Sequence, residues 1–195
     1  MDKWALQRMN IPERFWEATF DKVPDNLKTP IQRYCTKIDS LIQRGVGFFI
    51  HGPCGVGKSS AAAVLLKAGW EREKRGYYTT VKELRHAMRE ELTFDGSESI
   101  FSRCRDVEIL VLDDLALDDF KNFVLGIGDI EHLIATRAMR SKTTILTTRL
   151  TPDTFRQEYP ALLQTMQGSF VSVACNGPNM NVEAAARLRL ELGVR

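Results

Sequence analysis

The sequence predicts a three-layer α/β fold in which a five-stranded parallel sheet is covered by helices on both faces. Two observations lead to this prediction. Short apolar runs alternate along the chain with longer segments of helical periodicity, as in proteins built from parallel strands and crossover helices. A glycine-rich turn at residues 52–59 also separates the first apolar run from a strong helix former. With 195 residues, the chain can bury the core of one full domain.

The predicted strands are short apolar runs. They cover residues 46–50, 77–81, 108–112, 143–147 and 170–174. Each interval between them is long enough for a crossover helix, so we expect the strands to be parallel.

The predicted helices lie between these strands and after the last one. They cover residues 32–43, 59–74, 82–91, 120–139 and 183–192, where helix-forming residues recur with helical spacing. Residues 93–99 are expected to form a surface loop, and residues 176–179 (Asn-Gly-Pro-Asn) a sharp turn.

Charge, hydropathy and cysteine spacing argue against several classes of protein. The formal net charge of +2 is too small to indicate a nucleic-acid partner by itself. No apolar run approaches the ~20 residues needed to span a bilayer, and no signal peptide is visible, so we expect a cytoplasmic protein without membrane contact. The cysteines are scattered without a C-x-x-C pair, which argues against a zinc site or a disulfide framework. They are Cys35, Cys54, Cys104 and Cys175.

The most specific motif is the glycine-rich turn, which fits the phosphate-binding pattern G-x-x-x-x-G-K-[ST]. Its glycines allow the backbone to curl until several amide groups point at phosphate oxygens. Lys58 would reach the β- and γ-phosphates, and the Ser59 hydroxyl would bind Mg²⁺. A predicted strand precedes the motif and a predicted helix follows it, which places the phosphates at a helix N-terminus. The motif therefore predicts a site for a nucleoside triphosphate.

A pair of acids follows the third predicted strand. Asp113 and Asp114 end an apolar run, and ligands of open parallel sheets bind at the carboxyl ends of the strands. We therefore expect the acids to face the phosphate-binding motif. Asp113 would hold Mg²⁺ together with Ser59, and Asp114 would polarise the attacking water. The plainer alternative is that both acids only hydrate the end of a strand.

The fourth predicted strand also ends in polar side chains at this edge. We expect Thr147, Thr148 or Arg149 to reach the γ-phosphate or the attacking water. The alternative is an ordinary strand followed by a helix that begins near Thr151-Pro152-Asp153. The two interpretations are compatible.

In its order of motifs the chain resembles the AAA+ ATPases of the DnaC-type helicase-loader and IstB-type transposition-helper family. The resemblance runs from about Asn10 to Asn181 and depends on five elements in order. These are the run Ile-Pro-Glu-Arg-Phe-Trp-Glu-Ala-Thr-Phe at 11–20, the phosphate-binding motif, the run at 78–84, the acidic pair between Leu112 and Leu115, and Thr-Thr-Arg-Leu-Thr-Pro at 147–152.

The resemblance implies a three-layer P-loop core of AAA+ type with little or no lid domain. Residues 1–24 would form an N-terminal segment near the adenine, 25–181 the ATPase core, and 182–195 a C-terminal helix. It implies Lys58 and Asp114 as catalytic residues, and Ser59 and Asp113 as ligands of Mg²⁺. Arg149 is the third catalytic candidate, from its position after the fourth predicted strand. The ATP molecule would contact Ile11, Pro12, Gly52, Pro53, Cys54, Gly55, Val56, Gly57, Lys58, Ser59 and Ser60.

Members of this family contact single-stranded DNA through the helices after the second strand. The corresponding segment here carries Lys82, Arg85 and Arg89, with Arg103 and Arg105 nearby. Basic side chains there would bind phosphates without reading the base sequence. The segment also contains acidic residues, so a hydrated amphipathic face is the alternative.

Two departures from the family pattern concern hydrolysis. Arg149 stands where similar sequences commonly carry asparagine, and arginine cannot accept a hydrogen bond from water. Residues 160–167, where relatives usually supply an arginine to a neighbouring subunit, contain none. Arg137 and Arg140 are candidates for that role by position only. Hydrolysis is therefore expected to be slow or stimulated by a partner.

These inferences predict an ATP-binding and ATP-hydrolysing protein of DNA replication that acts as a helicase loader or an accessory ATPase. The expected partners are a replicative helicase, single-stranded DNA and, through self-association, further copies of the chain. Two alternatives remain: a transposition-helper ATPase that assembles on duplex DNA, and a nucleotide-gated interaction module with little turnover. The sequence leaves open the partner's identity, the oligomeric state and the preference for single or double strands.

Overall fold

The computed structural model describes residues 1–91, 99–116 and 127–192. Its centre is a five-stranded sheet formed by β1 (Gly47–His51), β2 (Gly76–Thr80), β3 (Ile109–Leu115), β4 (Thr143–Thr148) and β5 (Phe170–Ala174). The strands follow the order β2-β3-β4-β1-β5, and every neighbouring pair is parallel. The predicted parallel sheet is confirmed, and each predicted strand overlaps an observed one.

Helices pack on both faces of this sheet, which confirms the predicted three-layer fold. Two 3₁₀ turns, Glu13–Phe15 and Phe20–Lys22, precede the second helix. The helices in the described part of the chain are α1 (Lys3–Arg8), α2 (Asp25–Thr36), α3 (Ile38–Gln43), α4 (Lys58–Trp70), α5 (Val81–Glu91), α6 (Ile100–Asp106), α7 (Ile127–Met139), α8 (Pro152–Glu158), α9 (Pro160–Met166) and α10 (Met180–Glu191).

Two of the differences between the predicted and the observed helices have local reasons. The helix expected at 32–43 is a pair, α2 and α3, because the backbone leaves the helical region at Lys37 (φ −121°, ψ 21°). The last helix begins at Met180 rather than at residue 183, since the side chain of Asn179 accepts a hydrogen bond from the Asn181 amide and caps it.

Two other predicted segments lie partly outside the described residues. The helix expected at 120–139 is described only from Ile127, and the loop expected at 93–99 only at Ser99, which caps α6. The short helices α1, α6 and α9 have no counterpart in the prediction, because six or seven residues show too little periodicity to be recognised.

Two apolar clusters fill the space between the sheet and its helices. Side chains alternate between the faces along a strand, so Phe48 and Ile50 of β1 join one cluster while Phe49 joins the other. The first cluster includes α4 and apolar residues from the first 24 positions. Because α4 is buried on most of its circumference, the loop that precedes it is held in a fixed place.

The carboxyl ends of β1, β3 and β4 meet at one edge of the sheet. Both β1 and β3 pair with β4 as far as Thr148, which lies opposite Leu115 of β3. The β3–β4 register shifts between Leu112 and Leu115. The two acids inside this irregularity have different surroundings: Asp113 is buried and Asp114 is exposed.

Arg137 of α7 is fully buried and holds secondary-structure elements together. Its guanidinium donates to the carbonyl oxygens of Cys104 (2.6 Å) and Val107 (2.9 Å) around the end of α6, and of Thr143 (2.5 Å) in β4. Burial lowers the pKa of this guanidinium to about 9. A side chain enclosed in this way is not placed to act on another subunit, so the position-based suggestion for Arg137 is not supported.

Among the described residues, no helix combines the length and the apolar character that crossing a membrane would require.

Candidate nucleotide-binding site

The glycine-rich loop lies between the end of β1 and the start of α4. Gly52 (φ 146°) and Gly57 (φ 99°) adopt backbone conformations that other residues rarely adopt. A Cβ atom on Gly52 would also overlap the carbonyl oxygen of Cys175, just after β5. The fold therefore requires glycine at both positions, and the loop leads directly into the N-terminus of α4.

Lys58 begins α4 and is almost buried, with 8% of its surface exposed. Its ammonium donates hydrogen bonds to the carbonyl oxygens of Gly52 (2.8 Å) and Pro53 (2.6 Å). These two bonds fix the curl of the loop. An ammonium has three protons to donate, so a further hydrogen bond to a phosphate oxygen is chemically compatible with this arrangement.

Asp113 is the centre of a hydroxyl cluster at the mouth of the loop. Its Oδ1 atom accepts hydrogen bonds from Ser59 Oγ (2.9 Å) and Thr147 Oγ1 (2.5 Å), and its Oδ2 atom accepts one from the hydroxyl of Tyr78 (2.7 Å). The carboxylate is 1% exposed. A carboxylate beside a serine hydroxyl supplies the hard oxygen ligands that Mg²⁺ prefers, so these residues fit the predicted metal.

Tyr78 of β2 is a site residue that the sequence reasoning missed. Burial, together with the charge of Asp113, raises the pKa of its phenol, which therefore stays protonated and donates to the carboxylate. The main chain of Tyr78 also binds the N-terminal segment: its amide donates to Met9 O (2.8 Å), and Asn10 Nδ2 donates to its carbonyl oxygen (2.8 Å). Tyr78 thus connects the N-terminal segment to the acid expected to bind the metal.

Asp114 is exposed and has a left-handed backbone conformation (φ 58°). Its amide donates to Thr147 Oγ1 (2.9 Å), whose hydroxyl donates in turn to Asp113. One threonine therefore fixes the backbone of one acid and the carboxylate of the other. The Asp114 side chain lies at the solvent-exposed edge, where a water molecule can reach it.

Thr147, Thr148 and Arg149, at the end of β4, differ in their surroundings. Thr147 belongs to the hydroxyl cluster described above. Thr148 is buried, and its hydroxyl is engaged within the fold: it donates to Leu115 O (2.6 Å) and accepts from the Leu150 amide (3.1 Å). Arg149 is exposed and directly follows the carbonyl group that accepts a hydrogen bond from Gly52 N (3.2 Å). Its role in catalysis stays a prediction.

The other residues of the loop differ in their surroundings. Cys54 is exposed, whereas Val56 is buried and its carbonyl oxygen accepts a hydrogen bond from Cys175 Sγ (3.4 Å). Ser60 is half-buried in the first turn of α4. Burial raises the pKa of the Cys175 thiol to about 11.

The expected contact of Ile11 and Pro12 with the adenine stays a prediction, and other residues pack against the loop itself. Ile11 is buried in the core, and Pro12 is half-buried beside it. The loop itself is contacted by Pro24, by the side chain of Asn179, and by Met180, whose amide donates to Gly55 O (2.9 Å). The helix expected from residue 182 thus begins on the phosphate-binding loop. No local pattern in the sequence indicates these three contacts.

The basic residues expected to contact DNA differ in their exposure to solvent. Lys82 of α5 is exposed, but Arg85 is 7% exposed. The Arg89 side chain lies outside the described part of the structure. Of the nearby arginines, Arg103 is exposed and Arg105 pairs with Asp106 (2.7 Å). In this conformation Arg85 offers little surface to a phosphate group.

The fold of this chain is similar to that of several solved structures. The DnaC helicase loader superposes with a TM-score of 0.69 at 22% identity, covering 85% of this chain and all of that one. DnaI superposes with a TM-score of 0.69 at 19% identity, covering 87% of this chain and 94% of that one. AMPPCP-bound DnaA from Aquifex aeolicus gives a TM-score of 0.69 at 17% identity over 92% of this chain.

The present chain spans only 57% of the DnaA chain. No protein-family model matches the sequence, and no curated protein matches it. The similarity is thus one of fold, and it confirms the expected resemblance at that level: the chain has the fold of these structures.

Proposed function

We propose that this chain binds and hydrolyses ATP and acts in DNA replication as a helicase loader or an accessory ATPase. The observation that carries the proposal is the meeting of Lys58, Ser59 and Asp113 at the carboxyl edge of the sheet. Lys58 would bind the phosphates, and Ser59 and Asp113, which come from different parts of the chain, would bind the metal. The fold shared with a helicase loader and with AMPPCP-bound DnaA supports the same conclusion.

Binding follows from the loop and the helix behind it. The amide groups of the loop and the N-terminus of α4 would surround the phosphates, where the helix dipole favours negative charge. Lys58 would neutralise the β- and γ-phosphates. Ser59 and Asp113 would hold Mg²⁺, which when bound would supply further charge neutralisation.

Hydrolysis would depend on the residues just outside the buried cluster. Asp114 would accept a proton from the attacking water, and Arg149 would neutralise charge on the γ-phosphate. Helix α9, which falls where relatives usually carry an arginine for a neighbouring subunit, contains no arginine. We therefore expect slow turnover, stimulated by a partner that supplies a positive charge.

The role in replication would use nucleotide as a switch. ATP would favour a form assembled with a replicative helicase or with further copies of the chain, and hydrolysis would release it, because the two forms differ in their affinity for nucleotide. Lys82 on the exposed side of α5 would contribute to contact with single-stranded DNA. A cytoplasmic location is part of this proposal.

The direct test is calorimetric titration of Mg·ATP into the wild-type chain and two lysine variants. Lys58→Ala removes the charge paired with the phosphates and should abolish measurable binding. Lys37→Ala, at the exposed end of α2, is the matched control and should bind as wild type does. If wild type shows no binding at millimolar nucleotide, or if Lys58→Ala binds equally well, the proposal is wrong.

A second candidate function is a nucleotide-gated interaction module that binds ATP and scarcely hydrolyses it. The absence of arginine from α9 favours it. Phosphate release measured with single-stranded DNA and a replicative helicase present separates the two functions. A rate equal to that of Lys58→Ala would favour the module, and a higher rate the ATPase.

A further inference from the structure

A pocket of about 430 Å³ opens at the amino end of β2, on the sheet edge opposite the nucleotide site. It lies between α1, the end of α4, the start of β2 and α6. Three of its residues are arginines, Arg8, Arg75 and Arg103, and two are aromatic, Trp70 and Tyr77. None of these belongs to the ATP site.

Three basic side chains of this pocket are accessible to solvent. All three arginines are exposed, and the side chain of Arg75 is 69% accessible. The pocket also contains Asp106, but that carboxylate pairs with two arginines outside the lining, Arg105 (2.7 Å) and Arg140 (3.1 Å). The charge of Asp106 is thus already offset by these two side chains.

Two further acids lie near the pocket, Glu83 near Tyr77 and Glu108 beside Arg75. Arg75 Nε is 3.8 Å from Oε2 of the half-buried Glu108, a long ion pair, and the same oxygen accepts a hydrogen bond from the Arg75 amide (3.0 Å). A phosphate group can replace such a partner, because guanidinium groups bind phosphate through two parallel hydrogen bonds.

Aromatic rings lie directly beside these charges. The Arg103 guanidinium lies 5.5 Å from the centre of the Tyr77 ring. The half-buried Trp70 meets the exposed Trp4 edge to face, with ring centres 6.4 Å apart, and Arg8 lies over Trp4 at 5.0 Å. The opening therefore alternates guanidinium groups and ring surfaces, the combination that binds a strand whose bases are unstacked.

We propose that this pocket, which we call the β2-edge pocket, binds single-stranded DNA independently of nucleotide. Backbone phosphates would pair with Arg8, Arg75 and Arg103, and a base would stack on the exposed part of Trp70. Binding would not depend on base sequence, since every base presents a flat face and every phosphate a charge. A duplex would offer no free base to stack on Trp70, because its bases are already stacked on one another.

The test uses fluorescence anisotropy of labelled oligo(dT) with the full chain in the absence of ATP. Replacing Arg8 and Arg103 by serine should weaken binding at least about tenfold and reduce the salt dependence of log K by about 1.4, because each lost phosphate contact to a single strand removes about 0.7. Arg33→Ser with Arg156→Ser, two exposed arginines elsewhere, is the matched control and should leave binding unchanged. Mg·ATP binding should be retained in all of these variants.

The stacking contact has its own readout. The chain contains three tryptophans, so replacing Trp4 and Trp16 by phenylalanine leaves Trp70 as the only source of tryptophan fluorescence. Oligo(dT) should quench this fluorescence at the concentrations that raise the anisotropy. In addition, Trp70→Leu should weaken binding by roughly tenfold, within the range expected for one stacked base.

Three results would overturn the proposal. The first is an affinity for oligo(dT) that does not change in the Arg8→Ser, Arg103→Ser variant. The second is binding without quenching of Trp70. The third is equal competition by polyglutamate of matched charge, which would assign the pocket to an acidic protein surface. Loss of oligo(dT) binding together with normal ATP binding in the arginine variant separates this proposal from the ATPase function.

Discussion

At the scale of single residues, Asp113 depends on three hydroxyl donors to keep a buried charge in place. Ser59 and Thr147 donate to one oxygen and Tyr78 to the other. A buried carboxylate that loses a donor loses stability, because its desolvation is no longer offset. The network therefore links the stability of the fold to the geometry of the proposed metal site.

This link predicts the effect of Tyr78→Phe. The variant leaves Asp113 Oδ2 without its phenolic donor, so we expect unfolding to require about 1–3 kcal/mol less free energy. The carboxylate should also be held less rigidly beside Ser59, so more Mg²⁺ should be needed for half-maximal ATP binding. Urea unfolding and titration of Mg²⁺ at fixed ATP measure the two effects.

Tyr34→Phe is the control for this prediction. Tyr34 is also buried, and its hydroxyl donates to Val46 O (2.9 Å), remote from the acids. Tyr34→Phe should lower the free energy of unfolding without changing the Mg²⁺ concentration needed for half-maximal ATP binding. An unchanged Mg²⁺ requirement in Tyr78→Phe would show that this tyrosine has no part in positioning the metal ligand.

Asp114→Asn addresses the other acid. Asparagine keeps the size of the side chain but cannot accept a proton from water, so turnover should fall by about 10²–10⁴-fold while ATP affinity is kept. Phosphate release at saturating ATP measures the turnover, and calorimetric titration measures the ATP affinity. Asp39→Asn, at an exposed position of α3, should leave both unchanged. Normal turnover in Asp114→Asn would exclude it as the base.

The site residues that could be predicted are those that belong to a recognisable local sequence pattern. Lys58 and Ser59 stand in a motif, and Asp113 ends an apolar run, so the rule for parallel sheets was enough to bring them together. Tyr78 could not be found in this way. It reaches Asp113 because β2 pairs with β3 in a register that places Thr80 opposite Asp113, and no local pattern fixes that register.

At the scale of elements, the phosphate-binding loop is packed between β5 and the start of α10. Gly52 lies against the Cys175 main chain and Gly55 against the Asn179 side chain. The amide of Met180 donates to Gly55 O, so the last helix begins on the loop. The position of the first turn of α10 therefore depends on the conformation of the loop.

Gly52→Ala tests how closely the loop and β5 are packed. The new Cβ would overlap the Cys175 carbonyl oxygen, which belongs to the main chain and cannot move alone. Gly168→Ala is the matched control, because Gly168 has a positive φ of 86° but no atom within 4 Å of a Cβ. The control should lose only about 1–2 kcal/mol of unfolding free energy from backbone strain.

Gly52→Ala should lose more than this control in urea unfolding, and it should also bind Mg·ATP more weakly. Equal losses of unfolding free energy in the two variants would show that the contact between the loop and the chain after β5 contributes nothing.

The limits of sequence reasoning differ for helices and strands. Strand positions were predicted within a few residues, because apolar runs in a parallel sheet are buried on both faces and contrast with their flanks. For helix α5, the sequence did not predict which side chains are buried. Its basic residues were expected to face solvent, yet Arg85 follows the buried Leu84 and is itself buried. Charge alone does not tell which side of a helix packs against its neighbours.

At the scale of the whole molecule, the sheet separates two proposed sites. The nucleotide site lies at the carboxyl ends of the strands, and the β2-edge pocket at the amino end of β2. They share no residue. A strand of DNA could therefore stay bound through the pocket while the nucleotide exchanges, which suits a protein that remains on DNA through a cycle of ATP binding and hydrolysis.

The proposed nucleotide site also predicts how the stability of the whole domain responds to ligand. A ligand that binds only the folded state stabilises it by about 2.7 kcal/mol at one hundred times its dissociation constant. For a domain of this size, such a gain raises the unfolding midpoint by roughly 5–11 °C. Differential scanning fluorimetry with Mg·ATP should show this rise in wild type and in Asp114→Asn, which keeps the binding residues. Lys58→Ala should show none. A similar rise in Lys58→Ala would mean that ATP stabilises the fold from somewhere other than the glycine-rich loop.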